Sequence, residues 1–350
     1  MAFVLLAGAA LAQPAQEAGA VADAAVVDWA GTSLQEFADL SGLGTVEVCE
    51  LLPVLLFSPP PPAGTRVNVD DRLELDPPAA GQRVFTYSAA GHGGQLGVVQ
   101  VTLQEQTGSW QVQRVGFRQP PPGGLRAWVQ TQAAAWTFGL LSLAVLVLLL
   151  VPGSWLRRLL GKGLQVISQH RRVYVFTLTL LGAAFILGAI MGRGLPQECN
   201  AAIMETVQTA VTSVGAAEAY DSGNMARAAT VTFHQNFMVV TGSTLFSLAL
   251  LFGVPAYLFG TLSFFLQAIP FGLLAAGPLE IVLVTVLLLL ELSAYFTMVA
   301  GGGFLLATLI RKGFSALPEA IGKVLLMLPI AGVLLLIGAW YEAFVLIGLG

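Results

Sequence analysis

The stretch Gly277 to Leu306, GPLEIVLVTVLLLLELSAYFTMVAGGGFLL, decides the fold class. Its apolar run Ile281–Leu290 continues past Glu291 to Ala300. That is long enough for the ~20 residues of helix that cross a hydrocarbon core of ~30 Å. Two glutamates interrupt it, Glu280 at the start and Glu291 near the middle. A carboxylate at bilayer depth costs at least ~2.5 kcal/mol, so it normally faces a partner or a cavity. The two lie eleven residues apart. At about 100° per residue that is close to three turns, which puts both on one face, roughly 16 Å apart along the axis. Gly301-Gly302-Gly303 is expected to interrupt the helix.

Working outward, the whole chain has the composition of a membrane protein. It is 56% hydrophobic and 10% charged over 350 residues, which excludes an ordinary soluble globular domain. The net charge of −4 is uneven: residues 13–128 hold twelve acidic and six basic side chains, leaving +2 for the remainder. An acidic N-terminal part argues against binding nucleic acid or anionic lipid there.

Residues 1–12, MAFVLLAGAALA, read as a signal-like segment, with a small-residue cleavage site at Ala10-Leu11-Ala12. No Lys or Arg precedes the apolar run, so a true start lying upstream and an uncleaved anchor are the other readings. Residues 13–119 then form an exported α+β domain. Val21 to Leu40 is expected to be a helix, with Val26, Val27, Leu34 and Phe37 as its apolar positions. After the stiff SPPPP of 58–62 come strands at Arg66–Val69, Arg83–Tyr87 and Gly97–Leu103. Trp110–Val115 alternates and pairs back as a hairpin through Thr107-Gly108-Ser109, and Gly91-His92-Gly93-Gly94 reads as a turn. The helix with a GSWQVQRVGF strand resembles the cone-shaped, nuclear-transport-factor-like fold, and fits a generic antiparallel sheet as well.

A Pro/Gly linker at 120–127 leads into a transmembrane domain, 128–350, an α-helical polytopic bundle. Six spans are expected, at about 128–151, 173–191, 233–252, 257–276, 279–306 and 324–347. Pro255 separates the third from the fourth, and Pro270 is placed to kink the fourth. Residues 153–172 and 311–323 carry Arg157, Arg158, Lys162, Arg171, Arg172, Arg311, Lys312 and Lys323, whereas 192–230 carries Arg193 and Arg227. The positive-inside rule then places the first two loops in the cytoplasm and the N-terminal domain outside. The expected localisation is the plasma (inner) membrane. Cys49 and Cys199 fall on the outer side, where a disulfide between them can form; two buried or free thiols is the other reading.

With these directions, His234, Asn236, Glu280 and Glu342 share the outer level, and Glu291 lies deeper. Together they suggest a polar pocket with Glu291 at its base. Simpler readings stand beside this one. Glu280, after Gly277-Pro278, is placed to cap a helix N-terminus. Glu342 can snorkel to the interface, and His234 and Asn236 can be interfacial. Glu291 can be bonded across helices or to Tyr295 one turn on. Glycines at 182, 188, 192, 242, 253 and 260 permit close helix packing. His92, His170 and His234 are scattered and no Cys-x-x-Cys occurs, so neither a metal nor a cofactor is expected. No phosphate-binding loop, nucleophile elbow or nucleophile–base pair is visible, so an enzyme is the weakest class.

The membrane half resembles the stage II sporulation protein M family over about residues 170–347. The likeness rests on Arg171-Arg172 before a span, an outer helical loop, and a helix opening Phe233-His234-Gln235-Asn236. A glycine-spaced hairpin follows, then a helix with an early glutamate, and a last span with Glu342-Ala343-Phe344. The family's Pro-His-Gly before its glutamate is degraded here. Ala275-Ala276-Gly277-Pro278-Leu279-Glu280 keeps the glycine and the glutamate, while Glu291-Leu292-Ser293-Ala294 with Ala300-Gly301-Gly302 matches the later part of the pattern. Which glutamate corresponds stays open. The resemblance implies a non-enzymatic scaffold in a cell-envelope assembly, with other membrane proteins or peptidoglycan-active enzymes as partners beside the lipid bilayer. A transporter or channel subunit using Glu291 as an ion- or proton-linked site is the alternative.

Overall fold

The computed structural model describes residues 17–31, 44–46, 49, 61–62, 64–75, 81–91, 94–106, 108–117, 124–273 and 277–348. The signal-like segment, the first half of the linker and the expected helical residues after Gly31 lie outside these. The chain divides into two compact units, residues 1–121 with 201–206, and residues 122–200 with 207–350.

In the first unit, helix α1 (Ala18–Gly31) packs on a four-stranded antiparallel meander. The strands are β1 (Arg66–Leu75), β2 (Gln82–Gly91), β3 (Gly94–Gln106) and β4 (Ser109–Phe117), in that order across the sheet. Helical spacing in α1 puts Ala18, Ala22, Val26 and Trp29 on one buried face. Strand alternation in the two central strands supplies Phe85, Tyr87 and Ala89 from β2, and Val99, Val101 and Leu103 from β3. These form one apolar core with α1. Gln106 pairs with Ser109 across the tight turn expected at 107–109, and Gly108 supplies its positive φ of 80°. Edge strand β1 is exposed and carries Asp70, Asp71, Arg72 and Glu74, charges that discourage further strand pairing. Tyr87 donates to Asp23 at 2.8 Å. Burial, then the Asp23 carboxylate, hold the Tyr87 phenol above its usual range.

The second unit is helical. It begins with α2 (Leu125–Val129), α3 (Gln132–Leu150), α4 (Trp155–Gln169) and α5 (Arg171–Arg193). Next come α6 (Gln197–Ser213), α7 (Ala216–Asp221) and α8 (Met225–Phe233). A π-helical segment, His234–Leu245, runs on from α8 and into α9 (Phe246–Leu250). The unit closes with α10 (Val254–Leu273), α11 (Pro278–Lys312), a 3₁₀ turn at Phe314–Ala316, α12 (Leu317–Leu325) and α13 (Met327–Gly348). Among the described residues five helical stretches are long and apolar enough to cross a membrane: 132–150, 171–193, 254–273, 278–312 and 314–348. The fold is therefore compatible with an integral, multi-pass membrane protein. The apolar residues of α3 face outward almost throughout, Leu140, Leu146 and Leu150 among them, as lipid contact requires.

Two expectations are corrected here. The first apolar helix starts at Gln132, because Thr131 accepts from the Ala134 amide and caps it. The Gly301-Gly302-Gly303 triplet does not interrupt α11, which runs unbroken through it. All three glycines are buried. A Cβ on Gly302 would stand 2.8 Å from the Cα of Gly253, and one on Gly303 would stand 2.4 Å from the Tyr257 hydroxyl. The triplet thus serves close packing. Gly188 and Gly192 act similarly: a Cβ on Gly188 would come within 2.0 Å of the Phe265 carbonyl, and α5 lies directly against α10. Gly182, by contrast, faces open space.

Candidate functional site

The site is assembled from α11, α13 and the π-helical segment. α11 is a long apolar helix whose N-terminus is fixed by Glu280. That carboxylate accepts from the Gly277 amide at 2.9 Å, with Pro278 in the first turn. Glu280 is exposed and caps its helix, as the simpler reading expected. It does not join the other polar residues.

Glu291, eleven residues on, is partly buried and accepts a 2.7 Å hydrogen bond from the Asn236 side-chain amide. Its Cγ lies 3.6 Å from where a Cβ on Gly338 of α13 would stand. Glu342 is one turn further along that same face of α13, and the charges of Glu291 and Glu342 act on each other. Glu342 in turn interacts with the Tyr220 hydroxyl of α7. Tyr220 and Thr232 are 2.8 Å apart, oxygen to oxygen. Burial, and then the Glu342 charge, push the Tyr220 phenol well above its usual range, so it stays a donor. Thr232 can then donate to Tyr220 while Tyr220 donates to Glu342. A continuous polar line results: Thr232, Tyr220, Glu342, Glu291, Asn236.

On its other side Glu291 opens into a cavity of about 260 Å³. Its polar lining is Gln235, Asn236, Ser263, Gln267, Glu291 and Tyr295, and its walls include Phe185, Phe264, Phe271 and Leu288. Gln267 donates to Ser263 at 2.5 Å. No lining residue is basic, so the cavity favours a cation or a neutral polar solute over an anion. Glu291 supplies the carboxylate of the lining, with Glu342 behind it rather than in the cavity wall, and no group of three or more His, Cys, Asp and Glu occurs among the described residues. That donor set suits a proton or a weakly bound cation better than a transition metal.

The local backbone explains how Gln235 and Asn236, adjacent in sequence, both line the cavity. Residues 234–245 are wound as a π-helix, whose wider turn moves side chains off the α-helical stripe. Thr241, Ser243 and Thr244 each return their hydroxyl to the carbonyl five residues back, at 2.7, 2.8 and 3.2 Å. Phe233 and Phe237 stack at 5.1 Å on the same stretch. His234 opens the π-helix and is half-buried, but does not line the cavity. Glu291 is bonded across helices, as the simpler reading allowed, and the partner is Asn236 rather than Tyr295, which lines the cavity.

A second polar cluster lies at the α4–α5 junction. His170 is 9% exposed and stacks on Phe304 at 5.2 Å. Its Nε2 is 3.2 Å from Lys323 Nζ, which also donates to Thr308 at 2.9 Å. Lysine has donors only, so His170 accepts through Nε2 and is neutral. Burial, then the Lys323 and Arg311 charges, lower its pKa below 6.5. Glu319 bridges Lys312 and Lys323 at 2.9 and 3.1 Å.

Neither cysteine is exposed, and no described cysteine is a free thiol. Searches against protein families, curated proteins and solved structures return no match to the chain.

Proposed function

We propose that this chain is a six-span envelope membrane protein that uses Glu291 as an ion- or proton-linked site, with Asn236 and Glu342 as its immediate partners. The observation that carries the reading is the hydrogen bond from Asn236 to Glu291 at the wall of a polar cavity without basic lining. An intramembrane carboxylate with a partner and a cavity is the usual form of an ion or proton pathway. The sixth span is the continuous helical stretch 225–250, which includes the π-helix. The Arg and Lys bias of 153–172 and 311–323 supports an N-terminal domain outside the cytoplasm.

The likeness to the stage II sporulation protein M family is part of this proposal. Three features that carry it, the asparagine after Phe233, a helix glutamate and Glu342-Ala343-Phe344, converge on one place. That convergence favours Glu291 over Glu280 as the corresponding glutamate. The second reading is a scaffold for peptidoglycan-active or other envelope proteins. Its support is the separate apolar core of the N-terminal unit, the mark of an independent module that can bind a partner.

Carbodiimide labelling discriminates between the two. A hydrophobic carbodiimide modifies carboxyl groups in apolar surroundings. In purified protein, Glu291 should be the main labelled residue, and labelling should fall when sodium or potassium is added or pH is raised. Labelling of Glu291 that ignores both would favour the scaffold reading.

A further inference from the structure

Helix α3 is anchored to α13 near its middle. Phe138 stacks on Trp340 at 5.8 Å, and Trp340 donates to Ser142 at 3.0 Å. Beyond Ser142 the helices part, leaving a cleft of about 610 Å³. It is lined by Leu143, Leu146 and Leu149 of α3 and by Val333, Ile337 and Phe344 of α13. From Val333 to Phe344 the cleft follows α13 for roughly 16 Å at 1.5 Å per residue. That is about half of a ~30 Å hydrocarbon core, the depth of one leaflet.

One end of the cleft meets a basic helix. Leu149 lines the cleft, Ser154 donates to the neighbouring Leu148 carbonyl at 2.5 Å, and the Arg157 amide donates to Ser154. Arg157, Arg158 and Lys162 on α4 are exposed, and no described residue forms a salt bridge with them. On its other face α4 packs against α13: a Cβ on Gly163 would stand 2.8 Å from the Ile330 side chain. An apolar slot one leaflet deep therefore ends next to the N-terminus of a helix that carries three exposed cations in its first eight residues.

We propose that this cleft holds an acyl chain of an anionic phospholipid, with the headgroup phosphate bound by Arg157, Arg158 and Lys162. The chain fills the space between α3 and α13 and fixes their separation. The proposal is independent of the role of Glu291.

Native mass spectrometry of the full-length protein, delipidated and then offered equimolar phosphatidylglycerol and phosphatidylcholine of identical chains, tests it. The expected result is preferential retention of phosphatidylglycerol. The triple variant Arg157→Gln, Arg158→Gln, Lys162→Gln should lose that preference about tenfold or more, because each cation near an anionic surface adds to the attraction. Leu146→Trp, which fills the slot, should reduce retention of both lipids. Arg171→Gln with Arg172→Gln, equal in kind but at the start of α5 rather than on α4, should leave the preference intact, and melting temperatures check that each variant folds. Preference that survives the triple variant, retention unaffected by Leu146→Trp, or equal loss in the Arg171/Arg172 pair would overturn the proposal.

Discussion

Asn236 donates to Glu291 at 2.7 Å across 55 residues of sequence, joining the π-helical segment to the middle of α11. Neither residue has a comparable reason to be in an apolar bundle alone. An unpaired carboxylate and an unpaired amide each cost free energy in apolar surroundings, and the bond relieves both. Asn236→Ala should therefore lower the melting temperature in detergent, and Glu291→Ala should lower it too. The double variant should be less destabilised than the sum, with a coupling of about 1 kcal/mol. Strict additivity would mean the pair does not interact in the folded protein.

Close approach of α5 and α10 gives a second expectation. Gly188→Ala places a methyl 2.0 Å from a backbone carbonyl, which cannot move without its helix. Overpacking of this kind costs about 1–3 kcal/mol. Gly182→Ala, on the same helix with nothing within 4 Å, should be neutral or stabilising. Thermal unfolding of the two variants side by side checks this. Equal effects would place the α5–α10 contact elsewhere.

His170 sets a pH dependence with a definite sign. Its folded pKa lies below 6.5, so the folded state takes up its proton less readily than the unfolded chain. The contribution is fully present above pH 6.5 and is lost as pH falls towards the folded pKa. Melting temperature should drop on acidification through that window, and His170→Gln should flatten the drop. An unchanged slope in the variant would assign the acid sensitivity to other groups.

The two cysteines give a chemical test. The chain has two, Cys49 and Cys199, and no described cysteine is a free thiol. Protein denatured without reductant should take up no maleimide, and reduced protein should take up two labels. Cys49→Ser should expose Cys199 to one label. Labelling of unreduced wild-type protein would contradict an oxidised pair.

Much of this architecture is legible in the sequence because periodicity reports it directly. Alternation at Val99, Val101 and Leu103 marks a strand, and the run Ile281–Leu290 marks an apolar helix. Glu291 stands out because a carboxylate in such a run is costly. What is not legible is whatever depends on partners. Gly277-Pro278 marks Glu280 as a helix cap in the sequence, but only the fold shows that Glu291 is bonded to Asn236 at the wall of a cavity. The Gly301–Gly303 run reads as a breaker because glycine weakens isolated helices; buried against Gly253 and Tyr257, it is kept helical by packing. The π-helix has no sequence period of its own, so the convergence of Gln235 and Asn236 was hidden. Tyr220 sits in the stretch 192–230, which reads as a loop, and only the fold brings it to Glu342, with Thr232 beside it. Gln267, a lone amide in an apolar helix, is a further readable sign of the cavity beside Glu291 and Asn236.

The most direct measurement is solute and proton flux in proteoliposomes. Wild-type protein should dissipate an imposed pH or cation gradient faster than empty vesicles. Glu291→Gln keeps the shape of the side chain and removes its charge, so it should abolish flux with melting temperature and insertion unchanged. Glu280→Gln, altered only at an exposed helix cap, should retain it. Wild-type vesicles no leakier than empty ones, or equal flux through Glu291→Gln, would contradict an ion- or proton-linked site at Glu291.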